Sequence, residues 1–182
     1  MVPGTGEGET GMTPLRIAII NGSTRTGRFG PMIVDWVAGA ARQRADMVVD
    51  TVDAASRSGE VLAAADAFVV VTPEYNHSFP GDLKKLIDAH FTEWQAKPVA
   101  FVSHGGVSGG LRAVEHLRGV FAELHAVGIR DSVSFHRPWN WFGSDGRPES
   151  AQAEIALKKM FDQLTWWALA LRDARAVRPF EA

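Results

Sequence analysis

The sequence predicts a three-layer α/β fold: a doubly wound, parallel, five-stranded sheet in the order 2-1-3-4-5. Three observations carry that prediction. Apolar, β-branched runs alternate with helical patterns along the chain. The crossovers between them are too short to hold a further domain. The runs Leu15–Ile20 and Ala67–Thr72 both read as strands buried on two faces, and each ends in a polar loop. Five such units suit the 2-1-3-4-5 order better than the six-stranded dinucleotide-binding arrangement.

The elements follow in order. After the first strand, Pro31 to Arg44 carries Ile33, Val34, Val37, Ala38 and Ala41 at helical spacing, with Pro31 suited to a first turn. Met47–Val52 is a short second strand and Glu60–Ala65 a short helix before the third strand at Ala67–Thr72. Gly81 to Trp94 places Leu83, Leu86, Ile87, His90, Phe91 and Trp94 on one apolar stripe. That stripe is wider than one sheet contact needs, and it predicts a subunit interface. Pro98–Val102 is the fourth strand, Leu111 to about Ala126 a long helix, and Asp131–Phe135 the fifth strand. A loop with Trp139, Trp141 and Phe142 leads to a final helix from Glu149 to about Arg175, whose Trp166 and Trp167 are expected in the core. The aromatic loop suits either a pocket cover or a subunit contact.

Composition narrows the function classes. The 182 residues suffice for one domain with a sizeable core, expected over residues 15–182 after a Gly- and Thr-rich tail, 1–14, without regular structure. Met12 offers an alternative start. The tail has neither a basic n-region nor an apolar h-region, so a cytoplasmic protein is expected. A net charge of −2 gives no reason to expect a nucleic-acid partner, and no apolar run reaches membrane-spanning length. The chain has no cysteine, which removes thiolate nucleophiles and Cys-based metal sites. The histidines show no metal-ligand spacing.

Chemistry concentrates in three loops at strand ends, where open α/β sheets bind ligands. The first, Asn21 to Arg28, holds the hydroxyls of Ser23, Thr24 and Thr26 and the guanidinium groups of Arg25 and Arg28. It runs into a helix N-terminus, which suits an anion such as phosphate. It is not a nucleotide-triphosphatase loop, because Arg28-Phe29 follows Gly27 where Lys and a hydroxyl are needed. Its glycines miss the dinucleotide fingerprint, and a phosphatase loop would need cysteine. The plainer reading is a polar turn with solvated arginines. The second loop, Pro73-Glu74-Tyr75-Asn76, offers the chain's one tyrosine among backbone amides, a setting for a planar heterocycle. The third, Ser103-His104-Gly105-Gly106 to Gly110, has four glycines in eight residues and permits close backbone approach. Together they suggest a phosphorylated, ring-bearing cofactor.

At these loops the sequence resembles the NADPH-dependent FMN reductase family of flavodoxin-like proteins, which includes chromate, quinone and azo reductases. The matching stretches are Gly22-Ser23-Thr24-Arg25 with Arg28, Pro73-Glu74-Tyr75-Asn76, and Ser103-His104-Gly105-Gly106 with Gly109-Gly110. Leu83-Lys84, Ile87-Asp88 and Leu111 to Arg118 match as well, so the likeness spans residues 15 to 130. The resemblance implies that Ser23, Arg25 and Arg28 hold the phosphate of FMN. Pro73, Glu74, Tyr75 and Asn76 would bear on the isoalloxazine, with Ser103, His104, Gly105 and Gly106 along its other edge. It further implies NADPH or NADH as co-substrate, a small-molecule electron acceptor, and a homodimer or homotetramer. No side chain is assigned an acid–base role, since the cofactor carries the chemistry. His104 stands where relatives carry tyrosine, and it is expected to charge at mildly acidic pH. Two other readings stay open: an FMN-bearing electron carrier for protein partners, and a flavin-free nucleotide-binding module.

Overall fold

The computed structural model describes residues 13–56 and 58–181, so most of the expected tail lies outside the described residues. The elements are β1 (Leu15–Asn21), α1 (Gly30–Arg42), β2 (Met47–Asp53), α2 (Gly59–Ala64), β3 (Ala67–Pro73), α3 (Gly81–Asp88), β4 (Pro98–Gly105), α4 (Leu111–Glu123), β5 (Val127–His136) and α5 (Ala151–Val177). All four pairings are parallel, in the order β2-β1-β3-β4-β5. This is the doubly wound sheet that the alternating runs predict.

Strand residues alternate between two cores. Ile17, Ile19, Val69, Val71, Ala100 and Val102 face α1 and α5, where Ile33, Val37, Leu157, Phe161 and Leu164 cover them. Ala18, Ile20, Phe68, Val70, Val99 and Phe101 face the other way, against Leu62, Leu83, Ile87, Leu117 and Phe121. Each large apolar side chain buried this way contributes about 1.5–3 kcal/mol. Burial on both faces of β1, β3 and β4 explains why their sequences read as unbroken apolar runs.

Three expectations are corrected. The stripe over Gly81–Trp94 is not one helix, because α3 stops at Asp88 and the chain turns back. The Trp94 indole N–H then donates to the carbonyls of Ile87 at 3.1 Å and His90 at 2.9 Å, satisfying groups that a helix end leaves open. Leu83, Leu86, Ile87 and Trp94 are thereby buried within their own chain, and only Phe91, half exposed, remains of the expected interface face. Trp166 and Trp167 are not core residues: they are 63% and 37% exposed. The buried stripe of α5 is Leu157, Met160, Phe161, Leu164 and Ala168; Trp167 lies one helical step of about 100° from Ala168 and Trp166 two, which turns both away from the stripe. Finally, β4 runs three residues past Val102, and β5 is longer at both ends than Asp131–Phe135. Ser103, His104 and Gly105 pair with Ser134, Phe135 and His136, so the ladder extends into what sequence alone marks as loop.

Candidate functional site

The loops after β1, β3 and β4 meet at the carboxyl edge of the sheet, and side-chain bonds tie them together. Asn21 organises the first. Its Oδ1 accepts the Ser23 N–H at 3.3 Å and its Nδ2 donates to Asp53 at 3.2 Å. This short Asx turn starts the chain around the bend. Ser23 is buried, and its hydroxyl lies 2.8 Å from the Tyr75 hydroxyl of the second loop. Thr24 donates to Asp82 in the first turn of α3 at 2.5 Å. Among the described residues, the N–H groups of Thr24, Arg25 and Thr26 donate to no protein acceptor. They lie four to six residues ahead of Gly30, the first residue of α1, so the loop that leads into a helix N-terminus keeps three amide donors without a protein partner.

The two arginines of this loop are placed differently. Arg25 is exposed, and its guanidinium stands 3.5 Å from the centre of the Tyr75 ring. Arg28 is paired with Asp53 at 2.5 Å, bracing the loop against the end of β2.

The second loop is fixed to the third. The Glu74 N–H donates to the His104 carbonyl at 3.0 Å, and the Glu74 carboxylate pairs with Arg112 of α4 at 2.5 Å. It also accepts from the Ser108 hydroxyl. Burial raises the Glu74 carboxyl, but the bonds from Ser108 and Arg112 outweigh it and hold the group below its ordinary value. Pro73 ends β3, and Tyr75 and Asn76 follow at the exposed edge. In the third loop, Gly109 and Gly110 have φ of 63° and 86°, and a Cβ on either would come within 2.8 Å of His136 or of the β4 backbone. These glycines let the loop fold down onto the strand ends. The Ser103 hydroxyl donates to the Gly109 carbonyl at 2.9 Å, so Ser103 supports the loop from below. Gly105 lies at the strand end, and Gly106 is exposed with open space around it.

His104 differs from expectation. Its side chain is buried, its Nε2 has no hydrogen-bond partner, and its ring lies near Phe29, with 6.4 Å between ring centres. Burial pushes its pKa down to about 4, so it stays neutral at mildly acidic pH. The expectation of a charged imidazole overlooked this desolvation. The aromatic loop after β5 divides as well. Phe142 packs edge-on against Phe29, Trp36 and Phe135, and the Trp141 indole donates to the His136 carbonyl at 2.7 Å. Trp139 is left 62% exposed.

Sequence reasoning missed four organising residues: Asn21, Asp53, Ser108 and Arg112. Asn21 carries a local signal, an Asx residue directly after a strand. Arg112 lies 38 positions beyond Glu74, and no local pattern joins them.

Residues 50–140 match the family described as NADPH-dependent FMN reductase. The chain belongs to that family. A probable NADPH:quinone oxidoreductase 2 of Oryza sativa subsp. japonica is 30% identical over 200 aligned positions, covering 93% of this chain and 97% of that protein. An NAD(P)H-dependent FMN reductase of Schizosaccharomyces pombe is 33% identical over 124 positions, covering 54% of this chain and 62% of that protein. Among solved structures, the flavoenzyme NAD(P)H:(acceptor) oxidoreductase FerB from Paracoccus denitrificans superposes with a TM-score of 0.69 at 20% identity, over 86% of this chain and 98% of its own. A flavodoxin from Pseudomonas aeruginosa gives 0.58 at 20% identity, over 87% and 99%. Both likenesses are of fold, and the fold of this family member is flavodoxin-like. Its family description names the two nucleotides, NADPH and FMN.

Proposed function

We propose that the protein is an FMN-dependent NAD(P)H oxidoreductase that passes electrons to a small quinone-type acceptor. The observation that carries this reading is the joining of the first two loops through Ser23, Tyr75 and Arg25. It sets hydroxyls, free amides and an exposed cation beside a flat ring at one edge of the sheet. This donor set fits a phosphate linked to a planar heterocycle. The Thr24, Arg25 and Thr26 amides and the Arg25 guanidinium would hold the phosphate. Tyr75, Asn76 and Gly106 would border the ring. Glu74 and Ser103 act one step back, fixing the loops, and Arg28 braces the first loop through Asp53. Bound FMN supplies the hydride chemistry, and the protein supplies position and electrostatics.

The NADPH:quinone oxidoreductase named among the relatives supports a quinone-type acceptor over chromate, an azo compound or free flavin. Association into dimers is part of the proposal, but its surface is not the α3 stripe, which is internal. The test is the absorption spectrum of the purified protein with FMN, before and after anaerobic NADPH or NADH. Bleaching by the nucleotide alone is the expected result. A flavin spectrum that NAD(P)H leaves unchanged would make the protein an electron carrier, and a colourless protein that ignores FMN would end the flavin reading.

A further inference from the structure

The tip of the second loop is a two-residue hairpin turn. Tyr75 and Ser78 exchange backbone hydrogen bonds of 2.8 and 3.1 Å, and the central residues Asn76 and His77 have φ of 49° and 74°. Turns of this hand favour Asn followed by Gly, because a side chain at positive φ crowds the backbone. Here the glycine place is held by histidine. A residue kept in that conformation lowers stability, and such outliers gather where the side chain itself is used.

The surroundings are consistent with use. His77 is exposed, and the centre of its ring lies 6.2 Å from that of His116 on α4. His116 Nδ1 is 3.0 Å from the Ser78 hydroxyl. One helical turn earlier, Arg112 holds Glu74. The pairs Glu74–Arg112 and Ser78–His116 therefore dock both flanks of the turn onto one face of α4. The turn is clamped on either side, and its tip presents the His77 imidazole directly beyond Asn76.

We propose that His77 is the proton donor to a quinone acceptor, an inference that rests on the FMN reading above. Conversion of a quinone to a hydroquinone takes up two electrons and two protons. One proton arrives with the electron pair as hydride from the reduced cofactor, itself reduced by NAD(P)H. A ring N–H of His77 gives the other: that N–H bond breaks, an O–H bond forms on the quinone oxygen, and solvent returns a proton to the ring nitrogen. His116, fixed by Ser78, is a positioning neighbour that limits the swing of the His77 ring.

The test is His77→Gly in the full-length holoprotein. Glycine suits the turn better, so the variant without flavin melts no lower than the wild type. Its FMN affinity and its rate of flavin reduction by NADPH stay at wild-type values. Reoxidation by benzoquinone slows by roughly 10²-fold or more, the low end of what a positioned general acid contributes. Reoxidation by ferricyanide, which takes electrons without a proton, does not slow. In the oxidised wild-type holoprotein, added hydroquinone shifts the His77 ring-proton resonances. Benzoquinone reoxidation at the wild-type rate, an equal slowing with ferricyanide, or unmoved His77 resonances would each overturn the proposal. Failure of the FMN reading is told apart by the flavin titration alone: a wild-type protein that takes up no FMN loses both.

Discussion

The Arg25 guanidinium stacks 3.5 Å from the centre of the Tyr75 ring, across the gap between the loops after β1 and β3. At an exposed site such a contact is worth about 0.5–1 kcal/mol, less than a charge-assisted bond to phosphate. On the proposed function, an anion bound at this loop would outcompete the ring for the arginine.

Replacing Arg25 with alanine is expected to weaken FMN binding by about 1.5–3 kcal/mol, the range for hydrogen bonds to charged groups. Fluorescence titrations with FMN and riboflavin check this. The loss should appear for FMN and nearly vanish for riboflavin, which has no phosphate. Equal losses for both would place Arg25 on the ring instead. The melting temperature without flavin should scarcely change, because the side chain is exposed.

Tyr75→Phe removes the 2.8 Å bond to Ser23, whose residue is 1% exposed. Leaving a buried hydroxyl short of its partner costs about 1 kcal/mol or more. Urea unfolding with and without FMN measures it. The two loops should also hold FMN less tightly, since the bond fixes their spacing. An unchanged unfolding midpoint would mean that water replaces the phenol without loss.

Arg112→Met strips the cation from Glu74, whose side chain is only 6% exposed. The Ser108 bond remains, and Arg112 itself is 45% exposed, so the cost at neutral pH should sit near about 1 kcal/mol. In the wild type the Glu74 carboxyl lies below its ordinary value, so its contribution is present above that value and is lost as the pH falls through the lowered one. In the variant the Arg112 side-chain bond and charge are gone, so the carboxyl is lowered less and acid costs the variant less than it costs the wild type. Part of the lost stability should then return on acidification, and unfolding midpoints at neutral and acidic pH would show it. A variant whose deficit grows in acid would contradict this account.

His104 predicts the pH dependence of stability. Its folded pKa, about 4, lies below the ordinary 6.5, so protonation favours the unfolded chain. Its full contribution is present above about pH 6.5, is lost progressively as the pH falls towards 4, and levels off below that. At about 1.4 kcal/mol per pH unit the loss amounts to as much as about 3 kcal/mol. His104→Phe should flatten the wild-type decline in that window. Parallel pH profiles for the two proteins would show that the imidazole is not the group responsible.

Two tryptophans should behave oppositely. Trp94 is fully buried against Phe68 and Phe121, and Trp94→Ala should cost about 3–5 kcal/mol. Trp166, 63% exposed, should change stability by about 0.5 kcal/mol or less on the same substitution. Chemical denaturation of both variants decides, and a large loss at Trp166 would show that its face is covered by another copy of the chain.

The sheet was legible because its strands advertise themselves. Leu15–Ile20 and Ala67–Thr72 are apolar on both faces, and the short helices between them allow few connections. The family was legible because loops at strand ends carry their chemistry in consecutive residues. The ends of elements were less so. Nothing local in Ser103-His104-Gly105 says that β5 will pair with it, and nothing in the Gly81–Trp94 pattern says that the Trp94 indole will turn back to cap α3. A helical stripe records which residues are apolar and leaves open whether the same chain or another buries them.

By itself, then, the sequence determined the class of fold, the order of its elements and the three polar loops at strand ends, since each is encoded in short runs. Tertiary structure decided which polar groups in those loops remain free. Arg25 and Arg28 are alike in sequence, yet one stacks on Tyr75 in solvent while the other is held by Asp53 from the neighbouring strand. Glu74 is bound by Arg112, and His104 is neutral because the fold buries it without a partner. Charge, burial and hydrogen bonding depend on what stands a few ångströms away in space, and those neighbours come from distant parts of the chain.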